Sequence, residues 1–341
     1  MRLEALGVRI ADVETCDFDL MPAYGTAELL RRALPERGAR YLESATARAL
    51  LAELGVERRY LTALPGEPAD PARLDAIDLG CSAVQRLQAR RGAELAQLDA
   101  LIFVSSSNPN PCNSQAALLA DRCGLEASCM DLKAGCSGGL LGLLQGALLI
   151  RSGCERVLVV MAENLSQLTP PEDIRMLLSV GDGAACVLLE RAPGPGFLVM
   201  LHGTEPRLSG TMQLSAPFPP VRGDARYVYE FRDAPAALAY QRARWRSLFD
   251  EALAASGLEP GGLARVLFHQ THRSQLDGLV TDLGLASCRV PNVVERYGNM
   301  GTPTVVVALA QVLKDLRPGD RYLLEAVGGG LSWCAIVAEH A

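Results

Sequence analysis

Histidine is scarce in this chain: only His202, His269, His272 and His340 occur among 341 residues. The ten cysteines form no CxxC pair, and Cys123, Cys129 and Cys136 are not interleaved with histidines, so no zinc or other metal site is expected. Long apolar runs are lacking too. The longest, Leu140 to Ile150, is broken by Gln145 and falls well short of the ~20 residues needed to span a bilayer. No basic block or basic-aromatic stripe is present: 33 basic and 39 acidic residues are scattered to a net charge of −6, which argues against nucleic acid as a partner. The first twenty residues have neither the apolar core and cleavage site of a signal peptide nor the acid-free composition of a transit peptide. A cytoplasmic protein with reduced thiols and no membrane partner is therefore expected.

What is present is enough apolar sequence, 49%, to bury a large core. Short β-branched or aliphatic runs alternate with longer helical patterns, which predicts an α/β fold around a buried sheet. The expected strands are Ala100 to Ser105, Arg156 to Ala162, Ala184 to Leu189, Ala264 to Phe268, Arg321 to Ala326 and Ser332 to Ala338. The expected helices are Ala72 to Arg91, Asn113 to Cys123, Ser137 to Ser152, Ala236 to Ser256, Ser274 to Leu283 and Pro303 to Leu316.

Two pairs of these strands share one offset. Leu101 to Ser105 resembles Val266 to Gln270, and Glu155 to Val160 resembles Asp320 to Glu325, each pair 165 positions apart (101 and 266, 155 and 320). A common offset suggests duplication, with an N-terminal half over residues 1–190 and a C-terminal half over residues 191–341. In each block a glycine-containing loop leads into an almost wholly apolar helix, Ser137 to Ile150 and Pro303 to Val312. A helix apolar all round must be buried. Two such helices between duplicated sheets predict layers in the order α-β-α-β-α, with the two loops converging near the centre.

Those loops carry the candidate chemistry. Cys136 lies between a strand and the first buried helix, where free N–H groups and the helix dipole favour a thiolate. His269 follows a strand and projects from its end, and Asn299 immediately precedes the second buried helix, near the duplicate position of Cys136. Taken singly, these are a small core cysteine, a structural histidine and a Gly-Asn turn. Taken together they are a nucleophile with two neutral hydrogen-bonding groups.

Five ordered motifs make a specific resemblance: Ala134-Gly-Cys-Ser-Gly138, Ser179-Val-Gly-Asp-Gly-Ala184, His269-Gln270, Gly298-Asn299 and Gly328-Gly-Gly-Leu-Ser-Trp333. With these the chain resembles the ketoacyl-ACP synthase III family over essentially its full length. The resemblance implies the five-layered thiolase fold, a homodimer, and a catalytic triad at Cys136, His269 and Asn299. It also implies an oxyanion hole from the N–H groups of Cys136 and Gly329, an acyl-CoA or acyl-carrier-protein thioester as substrate, and no cofactor. The implied reaction is a decarboxylative Claisen condensation of a Cys-bound acyl group with a malonyl-type or 3-oxoacyl-type carrier-protein thioester, in fatty-acid-like or polyketide biosynthesis. Neighbouring classes fit less well. A degradative thiolase would carry a C-terminal CxG cysteine, elongating ketosynthases a second histidine in place of Asn299, and chalcone-type synthases a proline in the loop at Gly328 to Gly330.

The chain also departs from the family. An ungapped match through Gly55-Val56 sets Ala49 and Glu53 where housekeeping enzymes have a tryptophan and an arginine that grip the CoA nucleotide, so a carrier-protein donor is expected. His269-Gln-Thr-His272 replaces the usual His-Gln-Ala-Asn, which leaves His272 as a surface residue or one that alters the substrate channel, and Arg273 as a solvated helix charge or a contact for an acidic carrier protein. Asn110, in the loop Ser105 to Pro111, resembles the tip of the segment that reaches the dimer mate's tunnel. The alternatives are acyl transfer to oxygen or nitrogen on the same fold, and an inactive subunit of a heterodimer. Chain length, extender and product are set by tunnel shape, above all by residues 208–232, where periodicity is uninformative.

Overall fold

Strands that read as unbroken Val, Leu and Ile runs suit a sheet covered on both faces. The computed structural model, which describes residues 2–4, 6–68, 70, 72–108, 112–194, 196–214, 228–232 and 234–341, folds those runs into two five-stranded sheets. In chain order the strands are β1 (Arg2–Glu4), β2 (Val8–Thr15), β3 (Ala23–Gly25), β4 (Arg58–Tyr60), β5 (Ala100–Val104), β6 (Ser128–Leu132) and β7 (Arg156–Glu163), then β8 (Gly183–Arg191), β9 (Phe197–Thr204), β10 (Met212–Leu214), β11 (Tyr229–Phe231), β12 (Arg265–Phe268), β13 (Arg321–Val327) and β14 (Ser332–Glu339). The helices are α1 (Thr26–Ala33), α2 (Gly38–Leu42), α3 (Ala45–Leu54), α4 (Ala76–Leu95), α5 (Gln115–Cys123), α6 (Gly138–Arg151), α7 (Ile174–Ser179), α8 (Ala234–Ser256), α9 (Arg273–Asp282), α10 (Val294–Tyr297) and α11 (Thr304–Val312).

The first sheet runs β2-β8-β7-β5-β6 and the second β1-β9-β14-β13-β12. Four strands correspond one to one. β2-β8-β7-β5 and β9-β14-β13-β12 have the same sequence of two antiparallel pairings and one parallel pairing. The register is duplicated as well: Ala100 faces Val157 in the first sheet, and Arg265 faces Tyr322 in the second, both residues shifted by 165 (100 and 265, 157 and 322). The boundary between residues 190 and 191 falls at the end of β8, while β1 crosses over to pair with β9.

α6 and α11 lie between the sheets and touch strands of both, α4 and α5 cover the outer face of the first sheet, and α8 packs on the outer face of the second. The layering is thus α-β-α-β-α. Close approach of the middle layer needs small residues at its loops. A Cβ on Gly139 would sit 2.3 Å from the carbonyl oxygen of Thr302, so the start of α6 lies directly against the loop that opens α11.

Candidate active site

The turn Gly135–Ser137 carries Cys136 straight into α6. Gly135 adopts φ of +57°, which favours glycine, and a Cβ there would lie 2.4 Å from the carbonyl oxygen of Gly329. On the other side, a Cβ on Gly328 would lie 2.9 Å from the Cys136 nitrogen. The two glycine-containing loops are therefore in backbone contact. Side chains fix them: the hydroxyls of Ser137 and Ser332 are 2.6 Å apart, and Ser332 Oγ donates to the Ala134 carbonyl at 2.8 Å.

The nearby Gly329 N–H lowers the ionisation of the Cys136 thiol, as the helix start should. Burial acts the other way, aided by the nearby Glu163 carboxyl, and wins: the thiol is pushed up to about 11. This corrects the expectation of a resting thiolate. Cys136 is a neutral thiol at neutral pH, with some surface left open.

His269 stands at the end of β12, its N–H donating to the carbonyl of Glu325 on β13, the strand that runs on into Gly328 and Gly329. The ring is 1% exposed, and neither ring nitrogen has a hydrogen-bond partner among the described residues. Burial pushes its ionisation down to about 4, so the imidazole is neutral. Gln270, wholly buried, ties this strand end to the asparagine loop. Its Nε2 donates to the Pro291 carbonyl, and its Oε1 accepts from the N–H groups of Val293 and Val294, at the start of α10.

α10 ends at Gly298 (φ +70°), and Asn299 follows. Its N–H donates to the Ser179 carbonyl at 2.7 Å, its own carbonyl accepts from Gly181 at 2.9 Å, and its side-chain Oδ1 accepts from Gly301 N–H at 3.0 Å. With Oδ1 engaged, Nδ2 is the group available to a ligand. The motif around Asp182 supports this loop. Asp182 is fully buried and accepts from the N–H and hydroxyl groups of both Thr62 and Ser166. Gly301 backs onto Glu163, with 3.2 Å between a Cβ placed there and Glu163 Cγ. Glu163 also accepts from Ser106 N–H and from the N–H and hydroxyl of Ser107, and burial still pushes its ionisation up. Gln270 thus ties the end of the His269 strand to the segment that leads to Asn299, and Gly301, next to Asn299, backs onto a carboxyl that acts on Cys136. Among the described residues no group of three His, Cys, Asp or Glu side chains is placed to hold a metal ion. No described helix is long and apolar enough to cross a membrane.

Residues 130–205 match the family described as 3-oxoacyl-(acyl-carrier-protein) synthase III, and residues 253–340 its C-terminal part. Beta-ketoacyl-(acyl-carrier-protein) synthase III 3 of Streptomyces coelicolor is 31% identical over 300 residues, which span 83% of this chain and 86% of that one. The chain belongs to this family. A second synthase III, from Alkalilimnicola ehrlichii, is 30% identical over 78% of this chain and 86% of its own. The crystal structure of 3-oxoacyl-(acyl-carrier-protein) synthase from Burkholderia xenovorans superposes with a TM-score of 0.84, at 25% identity, over 99% of this chain and 95% of that one. The Thermus thermophilus synthase III shares the fold at a TM-score of 0.82 and 24% identity, over 98% of this chain and 99% of that one.

Set against the family's pattern, the expected peripheral residues have separate fates. Asn110 lies outside the described residues. Arg273 is committed to Asp277 and Glu295, at 2.9 Å each, and covers Gly55. His272 caps α9, its Nδ1 accepting from Gln275 N–H at 3.1 Å, and is half-buried beside Glu53 and Arg175. Glu53 forms a two-pronged ion pair with Arg175 that lowers its ionisation. Three residues were missed from sequence: Glu163, Asp182 and Gln270. Asp182 and Gln270 sat inside quoted motifs, but their partners at 62, 166 and 291–294 are remote in sequence. Glu163 ends a strand whose apolar pattern hid it.

Proposed function

We propose that this synthase III family member makes a carbon-carbon bond by decarboxylative Claisen condensation, with Cys136, His269 and Asn299 as its catalytic residues. The Cys136 sulfur attacks the carbonyl of an acyl thioester, and the tetrahedral oxygen accepts from the N–H groups of Cys136 and Gly329. The neutral His269 takes the thiol proton as the sulfur attacks and returns it to the departing thiolate, which leaves as a free thiol. A malonyl-type thioester next loses carbon dioxide. His269 and Asn299 Nδ2 donate to the resulting enolate oxygen while its carbon attacks the acyl-enzyme and releases the Cys136 sulfur. The observation that supports this reading best is the pair of unengaged ring nitrogens of a fully buried, neutral His269 beside the glycine loops. A neutral donor pair suits a developing negative oxygen.

The chemistry calls for two thioesters and no further cofactor. Carrier protein is the proposed donor partner, a reading supported by Glu53, which the ungapped match sets against the family's nucleotide-gripping arginine and which here is paired with Arg175. A homodimer is proposed as the assembly, supported by β6, which among the described strands pairs only with β5 and so forms one edge of the first sheet. A cytoplasmic location belongs to the same proposal.

Intact-mass spectrometry after mixing the protein with matched acyl-CoA and acyl-carrier-protein thioesters tests this reading. The expected result is an acyl adduct on Cys136, formed faster from carrier protein, with carbon dioxide released once malonyl-carrier protein is added. An adduct without carbon dioxide supports acyl transfer instead, and no adduct removes the enzymatic reading.

A further inference from the structure

The β10/β11 hairpin sets Leu214 opposite Tyr229 and Met212 opposite Phe231. Directly opposed residues of antiparallel strands point to the same face, so Met212, Leu214 and Tyr229 share one. That face meets the nucleophile's surroundings: the Met212 sulfur lies 2.9 Å from a Cβ placed on Gly329. Tyr229 itself packs on Leu165, Met176 and Val180, a small apolar cluster separate from the main cores. Val180 in turn is bridged through its backbone to Asn299. The hairpin, the cysteine turn and the asparagine loop thus border one apolar space.

Tyr229 brings a polar atom into that space. Its phenol lies in the fields of Glu163 and Cys136, and these, after burial, push its ionisation well up, so the hydroxyl keeps its proton. No residue among those described hydrogen-bonds this hydroxyl. The side chains it packs on, Leu165, Met176 and Val180, are apolar, so the hydroxyl is left to pair with a ligand. Sites that contain such a group reject analogues unable to pair with it.

We propose that Tyr229 determines acyl specificity, its hydroxyl hydrogen-bonding an oxygen substituent on the acyl group carried by Cys136. The favoured substrates are short hydroxyacyl or oxoacyl thioesters, ahead of alkyl thioesters of equal length. This inference rests on the reading of Cys136 as acyl acceptor.

The test measures the rate of Cys136 acylation by butyryl-pantetheine and by 3-hydroxybutyryl-pantetheine, for the unmodified protein, Tyr229→Phe and Tyr229→Leu. Thermal melts establish that each variant is folded. The unmodified protein should favour the hydroxyacyl ester about tenfold, and the ratio should collapse toward one in both variants. Equal rates in the unmodified protein, or a preference that survives in Tyr229→Phe, would overturn the role of Tyr229 while leaving Cys136 as acceptor. Absence of any Cys136 adduct with either ester overturns both readings.

Discussion

The hydroxyls of Ser137 and Ser332, 2.6 Å apart, join the turn that carries the nucleophile to the strand that follows the glycine loop. One pair of side chains thereby sets the spacing between Cys136 and the Gly329 N–H. Ser332→Ala removes this link and the bond to the Ala134 carbonyl, and should cost about 1–2 kcal/mol of stability. Acylation of Cys136 should slow more than the small loss of stability explains, because the oxyanion donors lose their register; stopped-flow acylation beside urea unfolding measures both.

Asn299→Ala removes one proposed donor to the enolate oxygen and leaves the cysteine turn intact. Condensation should fall about 10²-fold to 10³-fold, while acylation of Cys136 proceeds at close to its original rate. Following carbon dioxide release and acyl-adduct mass in the same samples separates the two steps. Equal losses in both would mean that Asn299 acts on the loop and not on the enolate.

The Cys136 thiol, pushed up to about 11 by burial and the neighbouring Glu163 carboxyl, should react with iodoacetamide at a rate that keeps rising about tenfold per pH unit beyond pH 9. An ordinary thiol levels off near its own value of about 8.5. Peptide mapping of labelled protein across pH 7 to 10 reads this directly. A plateau near pH 8 would show a sulfur far more acidic than its surroundings dictate.

His269 ionises near 4 in the folded chain and near 6.5 once unfolded. The unfolded state therefore binds the extra proton first as pH falls, and folding loses stability between about 6.5 and 4. Above that window the contribution is fully present. Because Glu163 and Asp182, both raised, act in the opposite sense, the informative quantity is a difference between variants. His269→Asn should shed about 2–3 kcal/mol less than the unmodified protein between pH 7 and pH 4, measured by urea unfolding.

Asp182→Ala orphans the N–H and hydroxyl groups of Thr62 and Ser166 at a fully buried position. A loss of about 3 kcal/mol or more follows, along with looser support for Asn299 through Ser179 and Gly181. Chemical denaturation of Asp182→Ala and Asp182→Asn checks it, and the asparagine variant should recover part of the loss.

The central strands and both buried helices were readable because each is apolar on every face, a pattern with few other solutions in a chain of this size. The shared offset of 165 gave the duplication, and the registers of Ala100 with Val157 and Arg265 with Tyr322 obey it. β2 was missed because Arg9, Asp12 and Glu14 interrupt its apolar residues, and their partners, Arg90 and Glu190, come from α4 and β8. β6, expected as the strand ahead of Cys136, could not be delimited because an edge strand carries Ser128 and Asp131 in exposed positions. At the site, the meeting of the cysteine loop with its neighbours was legible and ionisation states were not. The helix start before Gly138 argued for a thiolate, but the density of protein around the sulfur depends on Glu163 and on a loop some 190 residues away, which no local pattern encodes.

β1 pairs with β9 in the sheet that otherwise comes from the far half of the chain. During synthesis, then, Arg2 to Glu4 wait for residues 199–201 to leave the ribosome before they find their neighbours. The first half cannot finish as an autonomous unit, and a cut between residues 190 and 197 would leave one fragment with a stray strand and the other with an uncovered edge along β9. The two sheets are alike in pairing order, but this short crossing strand ties the completion of the second to the very start of the chain.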